Sequence, residues 1–322
     1  MSLGEFDIIA KYFTRTTQRR DVLLGVGDDA AVVSVPQDRR LVVAIDTLVE
    51  GVHFPGDTAA ADIGHRALAV NLSDLAAMGA EPAWMTLSLS LPDAEEGWIR
   101  DFAAGLHALA GQFNVALIGG DTVKGPRVIT VQVAGWVETD RWLTRAGAQA
   151  GDVLFVSGVP GEAAAGLATI QRHLPDSPAI THLRSRFLRP TPRVELGRWL
   201  RPIASAAMDI SDGLLTDLDK LCAASGCGAR IDLDALPDSI SMRAAFDAQS
   251  SLDFTLAGGD DYELLFAVPP AAAKGLEAMS PPVVCRSIGM ITADRKVECL
   301  RNGMPIDVRR RGYDHFGNEA RS

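Results

Sequence analysis

The chain has little cysteine, no long apolar run and no surplus of basic residues, and each shortage removes a class of protein. Its four cysteines, Cys222, Cys227, Cys285 and Cys299, form neither a C-x-x-C pair nor a zinc-ligand spacing. That excludes a disulfide scaffold, a dithiol redox centre and a zinc module, and the thiols read as reduced structural residues of a cytoplasmic protein. No apolar stretch comes near the roughly 18 residues of a membrane-spanning helix. The opening residues, Met1-Ser2-Leu3-Gly4-Glu5-Phe6-Asp7, place acids where a signal peptide needs bases, so no export is expected. Lys and Arg number 31 against 41 Asp and Glu, a formal net charge of −10, which disfavours nucleic acid and anionic lipid as main partners. Internal repeats, a G-x-x-x-x-G-K-[ST] loop, an H-E-x-x-H helix and a Ser-His-Asp nucleophile motif are all missing.

What is present is an ordinary globular composition, 47% hydrophobic and 22% charged. The 322 residues suffice for about two domains of roughly 150 residues each and for a core without covalent staples. Phe6, Ile9 and Phe13 recur at helical spacing over residues 5–13. Ala31–Val35, Leu41–Asp46, Trp84–Leu91 and Val128–Val137 read as strands, and 60–78 and 94–111 as helices. Trp84–Leu91 alternates apolar with polar residues, as a strand with one wet face does. Residues 139–151 lack a period and read as a connector, which places a boundary near 148 and gives domains 1–147 and 148–322. Beyond it, strands are expected at Val153–Ser157, Ala206–Ile210, Ala229–Leu233, Glu263–Val268 and Val283–Ile288. Helices are expected after Gly161, at 213–225 and near 270–279, and the four prolines of 175–192 suggest a loop with short helices. Strands and helices mixed in both halves argue an α/β (α+β) protein, not a bundle or a sandwich.

Two motifs are decoys. Gly25-Val26-Gly27-Asp28-Asp29-Ala30 fits the dinucleotide pattern G-x-G-x-x-A, but that pattern must open a helix, and Ala31-Val32-Val33-Ser34-Val35-Pro36 is a strand pattern. Asn71-Leu72-Ser73 fits the glycosylation sequon but sits in a helical stretch.

The recurring feature is aspartate beside glycine or at the end of an apolar run. It occurs at Gly27-Asp28-Asp29-Ala30, Ala44-Ile45-Asp46-Thr47, Asn71-Leu72-Ser73-Asp74, Gly119-Gly120-Asp121-Thr122, Asp209-Ile210-Ser211-Asp212-Gly213 and Gly258-Gly259-Asp260-Asp261-Tyr262. Any single Asp-Gly is ordinarily a turn, and an aspartate on a helix such as Asp74 is ordinarily a solvated face. A carboxylate next to core residues such as Ile45, Ile118 or Ile210 is expensive unless it is paired or binds a cation. Six such places together suit a hard cation such as Mg²⁺, which shares its oxygen ligands with phosphates. Carboxylates repel phosphate directly but hold it through a bridging ion, and glycine N–H groups can face its oxygens. Composition and spacing therefore point to a Mg²⁺-dependent enzyme acting on phosphates.

The ordered set G-V-G-D-D-A, D-T-L-V-E-G-V-H-F, A-V-N-L-S-D-L-A-A-M-G-A, L-I-G-G-D-T, L-T-R-A-G-A, M-D-I-S-D-G-L, A-G-G-D-D-Y-E-L and G-Y-D-H-F resembles the bacterial thiamine-monophosphate kinase family, from Gly4 to Phe316. The N-L-S-D-L-A-A-M-G-A segment is shared more loosely with aminoimidazole ribonucleotide synthetase, selenophosphate synthetase and a hydrogenase-maturation protein. The resemblance implies a two-domain aminoimidazole ribonucleotide synthetase-like fold. Its N-terminal sheet domain would dimerise, giving a homodimer, and its C-terminal α/β domain would fold over the active site. The implied reaction is direct in-line transfer of the γ-phosphoryl of ATP, the co-substrate, to thiamine monophosphate, the last step of thiamine diphosphate biosynthesis.

Carried over by motif, Asp29, Asp46, Asp74, Asp121 and Asp209 are the implied Mg²⁺ ligands. Asp74 would be shared between ions, and Asp212 would hold a further one. Asp74, Asp121 and Asp209 would form the catalytic centre. Gly120, Asp121, Arg145 and Ser211 match ATP contacts, and His53, Asp260 and Phe316 match contacts to thiamine monophosphate. Two positions depart from the family pattern: Ala44-Ile45 stands where relatives often have Ser-Thr, and Asp260 stands where they have glutamate. The competing readings are the same fold with another acceptor and a non-catalytic nucleotide- or metal-binding regulator. A selenophosphate synthetase would want a reactive N-terminal cysteine, and the first here is Cys222. Cyclase relatives lack the D-T-L-V-x-G-x-H-F and G-Y-D-H-F pair, and a regulator would be expected to lose one of the six aspartate sites.

Overall fold

A computed structural model describes residues 4–15, 17, 19–276, 280–308 and 312. The chain divides into two compact units, Met1–Leu75 with Ala80–Trp142, and Ala76–Gly79 with Leu143–Ser322.

In the first unit, α1 (Glu5–Ile8) continues as a π-helical turn, Ile9–Phe13. The short β1 (Val22–Leu24) pairs antiparallel with β2 (Val32–Val33). Then β3 (Arg39–Val49), β4 (Glu81–Leu91), β5 (Ala116–Lys124) and β6 (Val128–Glu138) form a sheet of order β3-β6-β4-β5. Only β4 and β5 run parallel, and the helix between them is α3 (Glu96–Gln112). The other long helix is α2 (Ala60–Ala77). One sheet face is core: Leu48, Leu87, Leu89, Ile129, Val131 and Val133 are buried. The other face is partly covered, with Trp84 and Trp136 buried against Val22 of β1 and Val33 of β2, but it is open along β3, where Leu41, Val43 and Ile45 alternate at 49%, 50% and 61% exposure. The carboxylate of Glu95 caps α3, accepting from the N–H groups of Gly97 and Trp98 at 2.9 and 2.7 Å. Gly64 and Gly105 mark where α2 and α3 touch. A Cβ on Gly105 would lie 1.9 Å from the Ala61 carbonyl oxygen, and one on Gly64 2.1 Å from that of Phe102.

In the second unit, β7 (Val153–Ser157), β8 (Ala206–Ile210), β9 (Gly228–Asp232), β10 (Glu263–Val268), β11 (Cys285–Thr292), β12 (Val297–Arg301) and β13 (Met304–Ile306) form a sheet of order β13-β12-β9-β11-β7-β10-β8. All pairs are antiparallel except β12 with β9. Its helices are α4 (Glu162–Gln171), α5 (Pro178–Leu188), α6 (Val194–Leu200), α7 (Leu214–Ser225), α8 (Ile240–Ala245), α9 (Ala248–Ala257) and α10 (Pro270–Ala273). Leu264 to Val268 are wholly buried, which is why β10 reads as an unbroken apolar run. The four cysteines are free and buried, and burial pushes the thiols of Cys222 and Cys285 up to about 12 and that of Cys299 to about 11.

Several elements differ from the sequence expectation: the strand expected at Ala31–Val35 is only Val32–Val33, the one expected at Val283–Ile288 runs Cys285–Thr292, and β1, α6, α8, α9, β12 and β13 have no counterpart in the sequence pattern. The stretch 175–192, expected as loop with short helices, carries the eleven-residue α5, in which Pro178 occupies the first turn, where a missing N–H costs nothing, and Ser177 caps the helix. The strand β5 was not anticipated, since its Gly119-Gly120-Asp121 centre lacks the strand pattern. Among the described residues no helix is long and apolar enough to cross a membrane.

Candidate active site

In the first unit, the candidate residues lie in two places: Asp46 beside α2, which carries Asp74, and Asp121 on β5 near the glycine turn, with Asp46 and Asp121 in adjacent rows of the sheet and so on opposite faces. The glycine turn bends at Gly27, where φ is +121°. Asp28 turns back on its own chain, its Oδ1 accepting from the Asp29 N–H at 2.9 Å, while Asp29 is exposed. Val26 of this turn and Gly120 and Asp121 of β5 line one small cavity of about 50 Å³. Asp46 on β3 is tied to α2: its N–H donates to Asn71 Oδ1 at 3.0 Å, and Asn71 Nδ2 donates to the Ala67 carbonyl at 2.9 Å. Asp74 follows Asn71 by three residues, hence on the same helix face, half-buried among buried Leu72, Ser73 and Leu75. Register puts Thr47, Thr130, Ser88 and Asp121 in one row across the sheet, and the hydroxyls of Thr47 and Thr130 are 2.8 Å apart. Gly120 lies so close to β4 that a Cβ would stand 2.0 Å from the Leu87 carbonyl oxygen.

His53 sits in the loop after β3. Its Nδ1 accepts the Val49 N–H at 3.0 Å, so the neutral ring carries its proton on Nε2. The loop is clamped by Glu50, which pairs with Arg127 at 2.6 Å, while the Arg127 guanidinium stacks 4.8 Å from the Trp98 ring centroid.

In the second unit, two loops are zipped together. Asp209, the penultimate residue of β8, is buried, and Ser211 and Asp212, just past the strand end at Ile210, are half-buried. The Asp260 N–H donates to the Ser211 carbonyl and the Tyr262 N–H to that of Ile210, both at 2.8 Å. Asp260 and Tyr262 adopt φ of +71° and +53°, and the Tyr262 hydroxyl donates to Asp260 Oδ1 at 3.1 Å. The structure thus brings Asp209, Ser211, Asp212 and Asp260 side by side. Arg145 is exposed in the connector before β7, whose Thr144 carbonyl accepts from Ala207 on β8 at 2.9 Å. Phe316 lies outside the described residues.

Behind the Asp260 loop is a buried ionic cluster. Glu263 accepts from Arg186 Nη2 (2.6 Å), Arg193 Nε (2.7 Å) and Ser157 Oγ (2.5 Å). Burial alone would raise the Glu263 carboxyl, but the Arg193 hydrogen bonds and charge, helped by Arg186, hold it below its usual value. Asp261 accepts from the N–H groups of Gly161 and Ala163 at 2.6 and 3.2 Å, yet burial pushes its carboxyl well above the ordinary range.

Among the described residues no group of three or more His, Cys, Asp or Glu side chains is gathered tightly enough to hold an ion alone. The donor set, carboxylates beside glycine backbone that are exposed or half-buried apart from the buried Asp209, nevertheless fits Mg²⁺, which takes one or two carboxylates and completes its shell with water and phosphate oxygens. Asn71, Glu50 and Arg127 escaped the sequence reading. Asn71 looked like a sequon, and the Glu50–Arg127 pair spans 77 residues with no local signal.

A family model for the N-terminal domain of AIR synthase related protein matches residues 27–137, and one for the C-terminal domain matches 149–301. The thiamine-monophosphate kinase of Salmonella typhimurium is 47% identical over 98% of this chain and 99% of its own. The crystal structure of thiamine-monophosphate kinase from Stenotrophomonas maltophilia K279a superimposes with a TM-score of 0.87 at 46% identity, covering 95% of this chain and 99% of that one. A structure of AaThiL complexed with AMPPCP and TMP superimposes with a TM-score of 0.78 at 32% identity, covering 90% and 92%.

Proposed function

The chain belongs to the thiamine-monophosphate kinase family, and we infer from that membership that it transfers the γ-phosphoryl group of ATP to thiamine monophosphate, giving thiamine diphosphate and ADP. The observation that carries this reading is the full-length likeness to named kinases of that activity. The acceptor oxygen belongs to a phosphate whose second pKa is about 6, so it is largely ionised at neutral pH and needs no general base. The task is to bring two polyanions into line, which is positioning and electrostatics.

Asp29, Asp46, Asp74 and Asp121 of the first unit and Asp209 and Asp212 of the second would hold Mg²⁺. When bound, such ions would neutralise charge where the ATP triphosphate meets the acceptor's single phosphate. Gly120 and Ser211 offer backbone and hydroxyl contacts to ATP, and Arg145 offers its guanidinium. His53, with Nδ1 occupied by the Val49 N–H, presents Nε2–H as a donor to the acceptor phosphate. Asp260 and Phe316 take the thiamine moiety. Asp260 is one methylene shorter than the family's glutamate, and aspartate tolerates its left-handed backbone better than most residues.

Transfer is direct and in line, with no phosphoenzyme. The open face of β3, with Leu41, Val43 and Ile45 exposed, is the surface on which a second copy would pack to form a homodimer. The enzyme acts in the cytoplasm.

The test is an end-point assay of purified protein with Mg-ATP and thiamine monophosphate, with and without EDTA. Products are resolved as thiochrome phosphates by chromatography. Thiamine diphosphate formed only with Mg²⁺, and matched by ADP, is the expected result. Folded, ATP-binding protein that forms none would move the reading to another acceptor on the same fold.

A further inference from the structure

Asp217 is fully buried and belongs to none of the aspartate motifs. It sits in the first turn of α7, but its hydrogen bonds are not those of a helix cap. Its Oδ2 accepts the N–H groups of both Ser211 and Asp212 at 2.9 Å each. Those two residues precede Gly213, the N-cap, so the bonds leave the helix's own first N–H groups untouched and grip the turn in front of it. The other oxygen, Oδ1, accepts from Lys220 Nζ at 2.8 Å, and the same ammonium reaches Asp212 Oδ2 at 2.5 Å. The gripped turn also supports the Asp260 loop through the Ser211 and Ile210 carbonyls.

We propose that Asp217 is a positioning residue that fixes the peptide planes of Ser211 and Asp212, with Lys220 balancing the two carboxylates. Bonding both N–H groups to one buried oxygen leaves the turn a single orientation, in which the Ser211 hydroxyl and the Asp212 carboxylate are presented together. The assignment rests on the reading of Ser211 and Asp212 as nucleotide and ion contacts.

Three proteins test it: wild type, Asp217→Leu, and the double variant Asp217→Asn with Lys220→Met. The asparagine of the double variant keeps one oxygen for both N–H groups, and the methionine removes the ammonium that would face its amide. The probe is Mn²⁺ with AMPPCP, followed by calorimetry, and hydrogen exchange of the Ser211 and Asp212 amides is read by NMR. Asp217→Leu is expected to weaken binding about tenfold or more, the scale set by leaving two donors without an acceptor. The double variant should stay within about threefold of wild type, a difference below about 1 kcal/mol. Both amides should be protected in wild type and in the double variant and unprotected in Asp217→Leu.

Folded Asp217→Leu that binds like wild type, or a double variant as weak as Asp217→Leu, would overturn the proposal. So would unprotected Ser211 and Asp212 amides in wild type, which decides the matter even where Asp217→Leu fails to fold. Wild type that shows protected amides but binds no Mn²⁺–AMPPCP would instead count against the kinase reading.

Discussion

Asp28 and Asp29 are neighbours of identical chemistry, and the backbone separates their roles. Both are exposed, but only the Asp28 carboxylate turns back on its own chain, accepting the Asp29 N–H. Asp74 stands on α2, where aspartate is a poor helix former, so its value lies in what it can bind. Asp74→Asn keeps shape and volume, and turnover is expected to fall by at least about a hundredfold, some 3 kcal/mol of transition-state stabilisation, with the melting temperature unchanged. Steady-state kinetics beside a thermal melt check this, and a folded variant of near wild-type rate would remove Asp74 from the site. His53→Ala is expected to raise KM for thiamine monophosphate by about tenfold and leave KM for ATP alone, a loss of roughly 1.4 kcal/mol on the acceptor side. An equal rise for ATP would reassign the residue.

At this scale the turn at Gly27-Asp28 was legible, since turn chemistry is local, whereas Gly120-Asp121 lies within strand β5. It was silent where a contact closes over distance. Asn71 reaches Asp46 across 25 residues, and Arg193 reaches Glu263 across 70. Asp217 is near its partners in the chain, but an acid in a helix's first turn ordinarily signals only the macrodipole.

Among the elements, α2 carries both Asn71 and Asp74, so whatever seats α2 seats the site. The backbone contact at Gly105 does this, and it gives a paired test on one helix. Gly105→Ala would drive a methyl into the Ala61 carbonyl, whereas a Cβ at Gly111, near the C-terminal end of α3, meets nothing within 4 Å. Overpacking costs about 1–3 kcal/mol, and replacing an open helical glycine by alanine gains up to about 1 kcal/mol. Gly105→Ala should therefore melt earlier and turn over more slowly, and Gly111→Ala should melt at or above the wild-type temperature.

Strands with apolar runs, such as Val153–Ser157, Ala206–Ile210 and Glu263–Val268, have the same bounds in the sequence and in the structure. Elements interrupted by glycine or begun by proline are harder to read. The glycines of β5 hide its strand character, and Pro178 looks like a breaker until its position at the helix start is known.

For the molecule as a whole, acid stability should report the buried cluster of the second unit. An unfolded chain protonates Glu263 near 4.5, but the folded chain does so only at lower pH, because the Arg193 and Arg186 guanidinium groups resist it. Between those values the unfolded state binds more protons, so the stabilisation is full above about pH 4.5 and is lost as pH falls further. Asp261 works in the opposite sense: its carboxyl is raised from 3.8, so the folded state gains its proton first on acidification. Glu263→Gln should be less stable at neutral pH by about 3–5 kcal/mol, the scale for breaking a buried pair, and should lose less on going below about pH 4.5. Melting temperatures from about pH 7 down to about 3.5 measure both effects, and an unchanged acid slope would remove Glu263 as its source.

The cysteines were legible at the start as a matter of number, and their placement adds something that number does not. All four lie in the second unit, and the first has none. A maleimide in solution therefore has no target in the first unit, and its targets in the second are shielded thiols held largely as S–H at neutral pH. The rate at which such a reagent is consumed becomes a clock for the opening of one half of the chain. A single cysteine placed on the exposed surface of the other half could be labelled with a dye while the four natural ones stay dark.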